Sequence, residues 1–127
     1  MNTKTPEIQH EALERIFHSP ARMAIISALA AADKTGLAFS ALKETCALTD
    51  GNLSGHLNSL VEEEVIKVRK EFVENKPRST ITLTKAGLDR FSQYLDALQD
   101  ALKAAKAALP APARKAAARP AGRAVRA

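Results

Sequence analysis

Between Thr49 and Leu60 the chain reads TDGNLSGHLNSL, with Leu53, Leu57 and Leu60 at spacings of four and three. That period lays the three leucines along one stripe of a helix. The intervening positions hold Asn52, Ser54, Gly55, His56, Asn58 and Ser59, which are mediocre to poor helix formers. Upstream, PEIQHEALERIF sets Ile8, Leu13, Ile16 and Phe17 near one side of a first short helix. HSPARMAIISALAAA then opens a second helix, with Ser19 as N-cap and Pro20 at the first helical position, where a missing N–H costs nothing. After a break at Gly36, FSALKETCAL predicts a third helix, with Ser40 as its cap and Phe39, Leu42 and Cys46 facing inward. A short connection leads to the leucine stripe, which Thr49 or Asp50 caps. Two helices joined in this way make a helix-turn-helix.

The period then changes. In VIKVRKEFVENKPRSTITLT the apolar residues Ile66, Val68, Phe72, Ile81 and Leu83 alternate with Lys67, Arg69, Thr80 and Thr82, the signature of strands. Glu74, Asn75, Lys76, Pro77 and Arg78 form a polar turn between the two runs, so the segment predicts a β-hairpin. From Thr84 the period returns to helical, with Leu88, Phe91, Leu95, Leu98, Leu102, Ala105 and Leu109 alternating spacings of three and four. This is the seam of a coiled coil. About 22 residues at 1.5 Å each reach about 33 Å, so the outer part of this helix outlasts a small domain and calls for the same helix of a second subunit. The expected fold is therefore α+β and mainly helical: a winged helix-turn-helix over residues 1–109 with a long C-terminal dimerisation helix over 84–109.

Composition refines this picture. A chain of 127 residues, 46% hydrophobic and 26% charged, suits one small domain with an appendage. Aromatics make up only 4% and Trp is absent, so the core must be aliphatic. No apolar run approaches the roughly 20 residues of a membrane span, and the N-terminal stretch lacks the apolar core of a signal peptide. We expect a cytoplasmic, nucleoid-associated protein. The lone Cys46 reads as a small core residue. The net charge of +5 is concentrated after Leu109, where Arg114, Lys115, Arg119, Arg123 and Arg126 occur without an acid. This Ala/Pro/Arg segment, 110–127, has little to bury and is expected to be disordered. The remainder is neutral, so attraction to nucleic acid must come from local patches and from the tail.

Two such patches are adjacent. A helix entering the major groove needs short side chains that can approach base edges, and it must avoid carboxylates that phosphates would repel. On the helix at about 50–62, Asn52 and Asn58 can pair with adenine, Ser54 and Ser59 can bond bases or phosphates, His56 can donate to either, and Gly55 admits close approach. Its acids, Glu62 to Glu64, lie at the far end. In the hairpin at about 65–84, Lys67, Arg69, Lys70, Lys76 and Arg78 are opposed only by Glu71 and Glu74, a phosphate-binding surface. Lys76 and Arg78, held apart by the rigid Pro77, are the natural candidates for the backbone or minor groove, with Arg69 a further DNA-binding residue of the wing.

FHSPARMAIISAL, FSALKETCALTDGNLSGHLNSL and FVENKPRSTITLTKAG together resemble small bacterial and archaeal winged-helix transcriptional regulators related to the MarR and ArsR groups, over roughly Phe17 to Leu102. The resemblance implies a homodimer that binds double-stranded operator DNA through two recognition helices and two wings. Asn52, Ser54, His56 and Arg78 would inherit the DNA-facing roles, and repression would be the usual output. Where such proteins carry glycine at the end of the recognition helix, this chain has Glu64.

Other functions find less support. The histidines His10, His18 and His56 lie in separate segments, and no Ser, Cys or carboxylate pair has a catalytic context. We expect no enzyme, no cofactor and no metal site. No residues single out a small-molecule effector. Two alternatives stand beside the regulator: an architectural DNA binder using the basic tail, and a winged helix that binds protein.

Overall fold

The computed structural model describes residues 10–110. The first predicted helix is instead two 3-10 turns, His10–Ala12 and Arg15–Phe17. Each spans three residues, too short to carry the expected stripe. Ile8 and the tail beyond Pro110 lie outside the described residues. The long elements follow in the order α1 (Pro20–Ala31), β1 (Leu37–Ala38), α2 (Phe39–Cys46), α3 (Asp50–Glu62), β2 (Ile66–Val73), β3 (Lys76–Leu83) and α4 (Lys85–Ala108).

Caps set most of the helix starts. Ser19 Oγ accepts from the Arg22 N–H at 3.0 Å, with Pro20 at the first position of α1. Thr49 Oγ1 accepts from the Asn52 N–H at 3.1 Å, which settles the choice between Thr49 and Asp50. α2 differs from expectation: Ala38 holds its cap position with no side-chain bond, and Ser40 lies inside the first turn. Between α2 and α3, Ala47 is left-handed (φ 54°), with the Leu48 N–H donating to the Lys43 carbonyl at 3.1 Å. This closure is how the chain reverses within a few residues.

α3 ends in the same way. The Val65 N–H donates to the Leu60 carbonyl at 3.0 Å, and the Glu64 N–H to the Val61 carbonyl at 2.9 Å. This is a Schellman closure with Glu64 in the left-handed position at φ 62°. The buried pair Leu60 and Val65 supplies its apolar contact. A side chain with a Cβ is strained there, so Glu64→Gly should raise stability by about 1 kcal/mol. Thermal unfolding of the two proteins checks this; an unchanged or lowered midpoint would mean that the Glu64 side chain does something the fold needs.

The sheet has three antiparallel strands in the order β1-β3-β2, one more than the hairpin predicts. β1 pairs Leu37 with Ile81 and Ala38 with Thr80. Gly36 makes this approach possible, at φ +85° and with the Ile81 carbonyl oxygen 2.2 Å from where a Cβ would sit. The hairpin turn is shorter than expected. Only Glu74 and Asn75 lie outside the strands, both at positive φ, 54° and 66°, the pattern of a type I′ turn. Lys76, Pro77 and Arg78 belong to β3.

Leu53, Leu57 and Leu60 of α3 are buried with Ile25, Ile26, Leu29, Leu42, Val65, Ile66 and Ile81. Phe17, Phe91 and Tyr94 close one end of this core, with ring centroids 5.4–6.1 Å apart. The predicted seam on α4 divides here. Phe91 is buried and Leu98 packs against the core of its own domain. Leu88, Leu95, Leu102 and Leu109, spaced seven apart, are 39–52% exposed. A helix lying on a domain must turn one side of its apolar seam inward, and here the aromatic side wins because the three-ring cluster buries it.

Candidate nucleic-acid interface

With the leucines of α3 buried, its opposite face is set by geometry. Gly51, Asn52, Ser54, Gly55 and Asn58 are exposed on it. A Cβ placed on Gly51 or Gly55 would meet nothing within 4 Å. Neither glycine therefore serves the packing of the domain. Ser59 is half-buried and its hydroxyl donates back to the Gly55 carbonyl at 3.4 Å, so it is partly engaged within the helix.

His56 is turned aside from this face. Arg22 of α1 donates through Nε to His56 Nδ1 at 3.0 Å, and through Nη1 to the Ile16 carbonyl at 3.4 Å. Nδ1 is thus an acceptor, which assigns the ring proton to Nε2. Burial, and secondly the charge of Arg22, push the His56 pKa below its ordinary value. Its protonated form is disfavoured in the folded protein, so the unfolded chain binds more protons below about pH 6.5. Stability should therefore be full above that pH and fall as the solution is acidified. Melting temperatures of wild type and His56→Gln across pH 5–8 test this, and the wild type should lose more on acidification. Parallel curves would show that the Arg22 contact does not hold His56 neutral.

The wing carries cations mostly on one face. By the strand register, Lys67, Arg69 and Glu71 of β2 share a face with Lys76, Arg78 and Thr80 of β3, and Glu71 stands opposite Arg78. Arg69 bonds Glu71 at 3.4 Å and is thereby partly neutralised. Among the described residues, no ion pair involves Lys76 or Arg78. The structure thus leaves these two more available than Arg69.

The junction behind the face escapes a sequence reading. Arg90 of α4 donates to both carboxylate oxygens of Glu14, at 2.6 and 3.4 Å. It also reaches the Glu63 carbonyl at 2.9 Å and the Glu63 carboxylate at 3.0 Å, at the end of α3. The guanidinium lies 5.8 Å from the Phe17 ring centroid. Thr84 adds a second tie: its hydroxyl lies 2.8 Å from the Glu64 carbonyl and 3.0 Å from that of Val65, and accepts from the Gly87 N–H at 2.8 Å. The last turn of α3 is thereby tied to the start of α4. No local pattern announces Arg90 or Arg22, because Arg90 is 76 positions from Glu14 and Arg22 is 34 from His56.

The Cys46 thiol is pushed up by burial, which works against a reactive thiolate. Among the described residues, no group of three or more His, Cys, Asp or Glu is placed to hold a metal ion. Among them also, no helix is long and apolar enough to cross a membrane.

Comparison with known proteins agrees with this geometry. An uncharacterized protein of Methanocaldococcus jannaschii is 32% identical over 81 residues, covering 64% of this chain and 86% of that one. A transcriptional regulator homologue from Pyrococcus horikoshii superposes with a TM-score of 0.64 at 24% identity, over 74% of this chain and 92% of that one. The PcaV transcriptional regulator of Streptomyces coelicolor, solved with its natural ligand, gives 0.61 at 19% identity over 84% and 73%. A MarR-family transcriptional regulator from Silicibacter pomeroyi gives 0.53 at 21% identity over 84% and 72%. These structural likenesses establish the fold. The family model described as a winged helix DNA-binding domain matches residues 21–102, from the first turn of α1 into α4; the chain therefore belongs to the winged helix DNA-binding domain family.

Proposed function

We propose that this protein is a sequence-specific transcriptional regulator that binds operator DNA as a homodimer and acts as a repressor. The observation that carries this reading is the outer face of α3. Glycine inside a helix costs up to about 1 kcal/mol relative to alanine, and Gly55 lies on that face with open space where a Cβ would be. A cost that packing does not explain fits a surface a base pair must approach. Around it, Asn52 and Asn58 supply paired donors and acceptors for base edges, and Ser54 a hydroxyl. His56 would offer its Nε2–H from the flank, and Ser59 a secondary contact. Lys76 and Arg78, with Arg69 in a lesser part, would engage phosphates or the minor groove. Leu88, Leu95, Leu102 and Leu109 would pair with the same stripe of a second subunit, while Phe91 and Leu98 serve the domain's own core. The basic segment after Pro110 would add attraction that does not depend on sequence. The partners are thus double-stranded DNA and a second copy of the chain.

The test is binding to the DNA upstream of the protein's own gene and to a scrambled duplex of equal length, at physiological salt. A preference of about a thousandfold or more is expected. Gly55→Ala should raise thermal stability by up to about 1 kcal/mol and at the same time weaken binding to the upstream duplex. Equal affinity for both duplexes would favour the architectural role, and binding to neither a protein-binding winged helix.

A further inference from the structure

Phe72 is out of keeping with the rest of this protein. The chain has four Phe, one Tyr and no Trp. Phe17, Phe91 and Tyr94 are buried and Phe39 packs against the core, yet Phe72 is 75% exposed. An exposed phenyl forgoes the stabilisation that burial would bring, so the fold has no use for it where it stands.

Its setting is specific. Beside a two-residue turn, Val73 and Lys76 form the hydrogen-bonded pair of the ladder. Phe72 and Pro77, the next pair, are then of the non-hydrogen-bonded kind, whose side chains stand closest. Pro77 loses no ladder bond there, since its nitrogen faces the open edge of β3 beyond the short β1. The ring of one and the phenyl of the other make a small apolar tip. Four residue pairs, from Lys70↔Ser79 to Val73↔Lys76, extend past the last pairing with β1. Phe72↔Pro77 is the third of these pairs, so at about 3.3 Å each the tip stands about 10 Å beyond the three-stranded part of the sheet. A hollow of about 550 Å³, lined in part by Phe39, Ser40 and Pro77, separates this end of the wing from the start of α2. Lys76 and Arg78 flank the tip on the other face of the ribbon.

We propose that Phe72, backed by Pro77, is an apolar wedge that enters the minor groove and leans into a base step, so that the wing senses how easily the DNA deforms. The inference rests on the DNA-binding reading above. The surrounding charge selects this occupant. A second copy meeting the tip would set Lys70, Lys76 and Arg78 against their own duplicates, with Arg69 already paired to Glu71 and only Glu74 in the turn to offset them, whereas a phosphate-lined groove complements the excess of cations. Apolar side chains inserted at base steps kink the duplex, and easily unstacked steps accept the kink at the least cost.

Because the chain lacks tryptophan, Phe72→Trp in the full-length protein makes a single reporter at the tip. The probe is a duplex of about 30 base pairs from upstream of the gene, long enough for two half-sites one helical turn apart. Its emission should be quenched when the complex forms. Phe72→Ala should reduce the bend measured by energy transfer between the duplex ends and weaken binding about tenfold, with an unchanged slope of log affinity against log salt. Lys76→Ala should instead lower that slope by about one phosphate contact and keep the bend. Unquenched emission in a complex that anisotropy shows to be formed would overturn the wedge, as would full affinity and full bending by Phe72→Ala, or a change in its oligomeric state. Failure of the wild type to bind the duplex would instead bring down the DNA-binding reading itself.

Discussion

Gly87→Ala should destabilise the protein by about 3 kcal/mol, at the upper end of what overpacking costs. Gly87 lies in the first turn of α4, and a Cβ there would fall 2.2 Å from the Val65 carbonyl oxygen and 2.9 Å from the Val65 carbonyl carbon and Cα. All three are backbone atoms, so no rotamer change relieves the clash. Val65 cannot retreat easily. It is fully buried, and its carbonyl accepts from the Thr84 N–H at 3.0 Å as well as facing the Thr84 hydroxyl. For a domain of this size about 3 kcal/mol lowers the melting temperature by roughly 12 °C or more, which differential scanning calorimetry resolves. A shift of only a degree or two would show that α4 can slide away from Val65 at the end of α3. Gly55→Ala is the control: it changes the same residue types in the opposite direction, because the site is open.

The pair Leu95→Glu and Leu102→Glu should convert the protein to a monomer and weaken operator binding by about a hundredfold or more, since each half-site is then bound without the effective concentration the other provides. Both leucines are exposed in the single chain, at 41% and 52%, so the domain fold should survive, as a melting curve would verify. Leu88, Leu95 and Leu102 run about 21 Å along α4 at 1.5 Å per residue, and Leu109 follows at its C-cap. The flank of this stripe carries Asp89 and Asp96 toward one end and Lys103 toward the other. Two such helices crossing antiparallel about a two-fold axis set acid against base at both ends. Light scattering of the double variant decides the matter. A dimer that persists would place the interface elsewhere and leave the stripe unexplained.

Much of the fold can be read along the chain, for a local reason. Caps such as Ser19, Thr49 and Thr84 act within three residues of themselves. Strand alternation and the helical leucine period likewise depend only on near neighbours. The composition of the α3 face belongs to the same class: once Leu53, Leu57 and Leu60 are buried, the exposure of Asn52, Gly55 and Asn58 follows from the helical period. Where the reading failed, a competing local choice or a distant residue intervened. Lys76, Pro77 and Arg78 look like turn residues, yet Glu74 and Asn75 can reverse the chain by themselves in left-handed conformations. β1 has only two residues, too few for any alternation to show.

The sequence by itself determined the order of the four α-helices and the hairpin, the helix-turn-helix and the residues that share the outer face of α3, because each depends on spacing. Tertiary structure decided which side of the α4 seam faces inward, that His56 meets Arg22, that Glu63 and Glu14 converge on Arg90, and that Phe72 is left without cover. Periodicity says which side chains lie together on an element. What covers them depends on residues up to 76 positions away, and only folding brings those together.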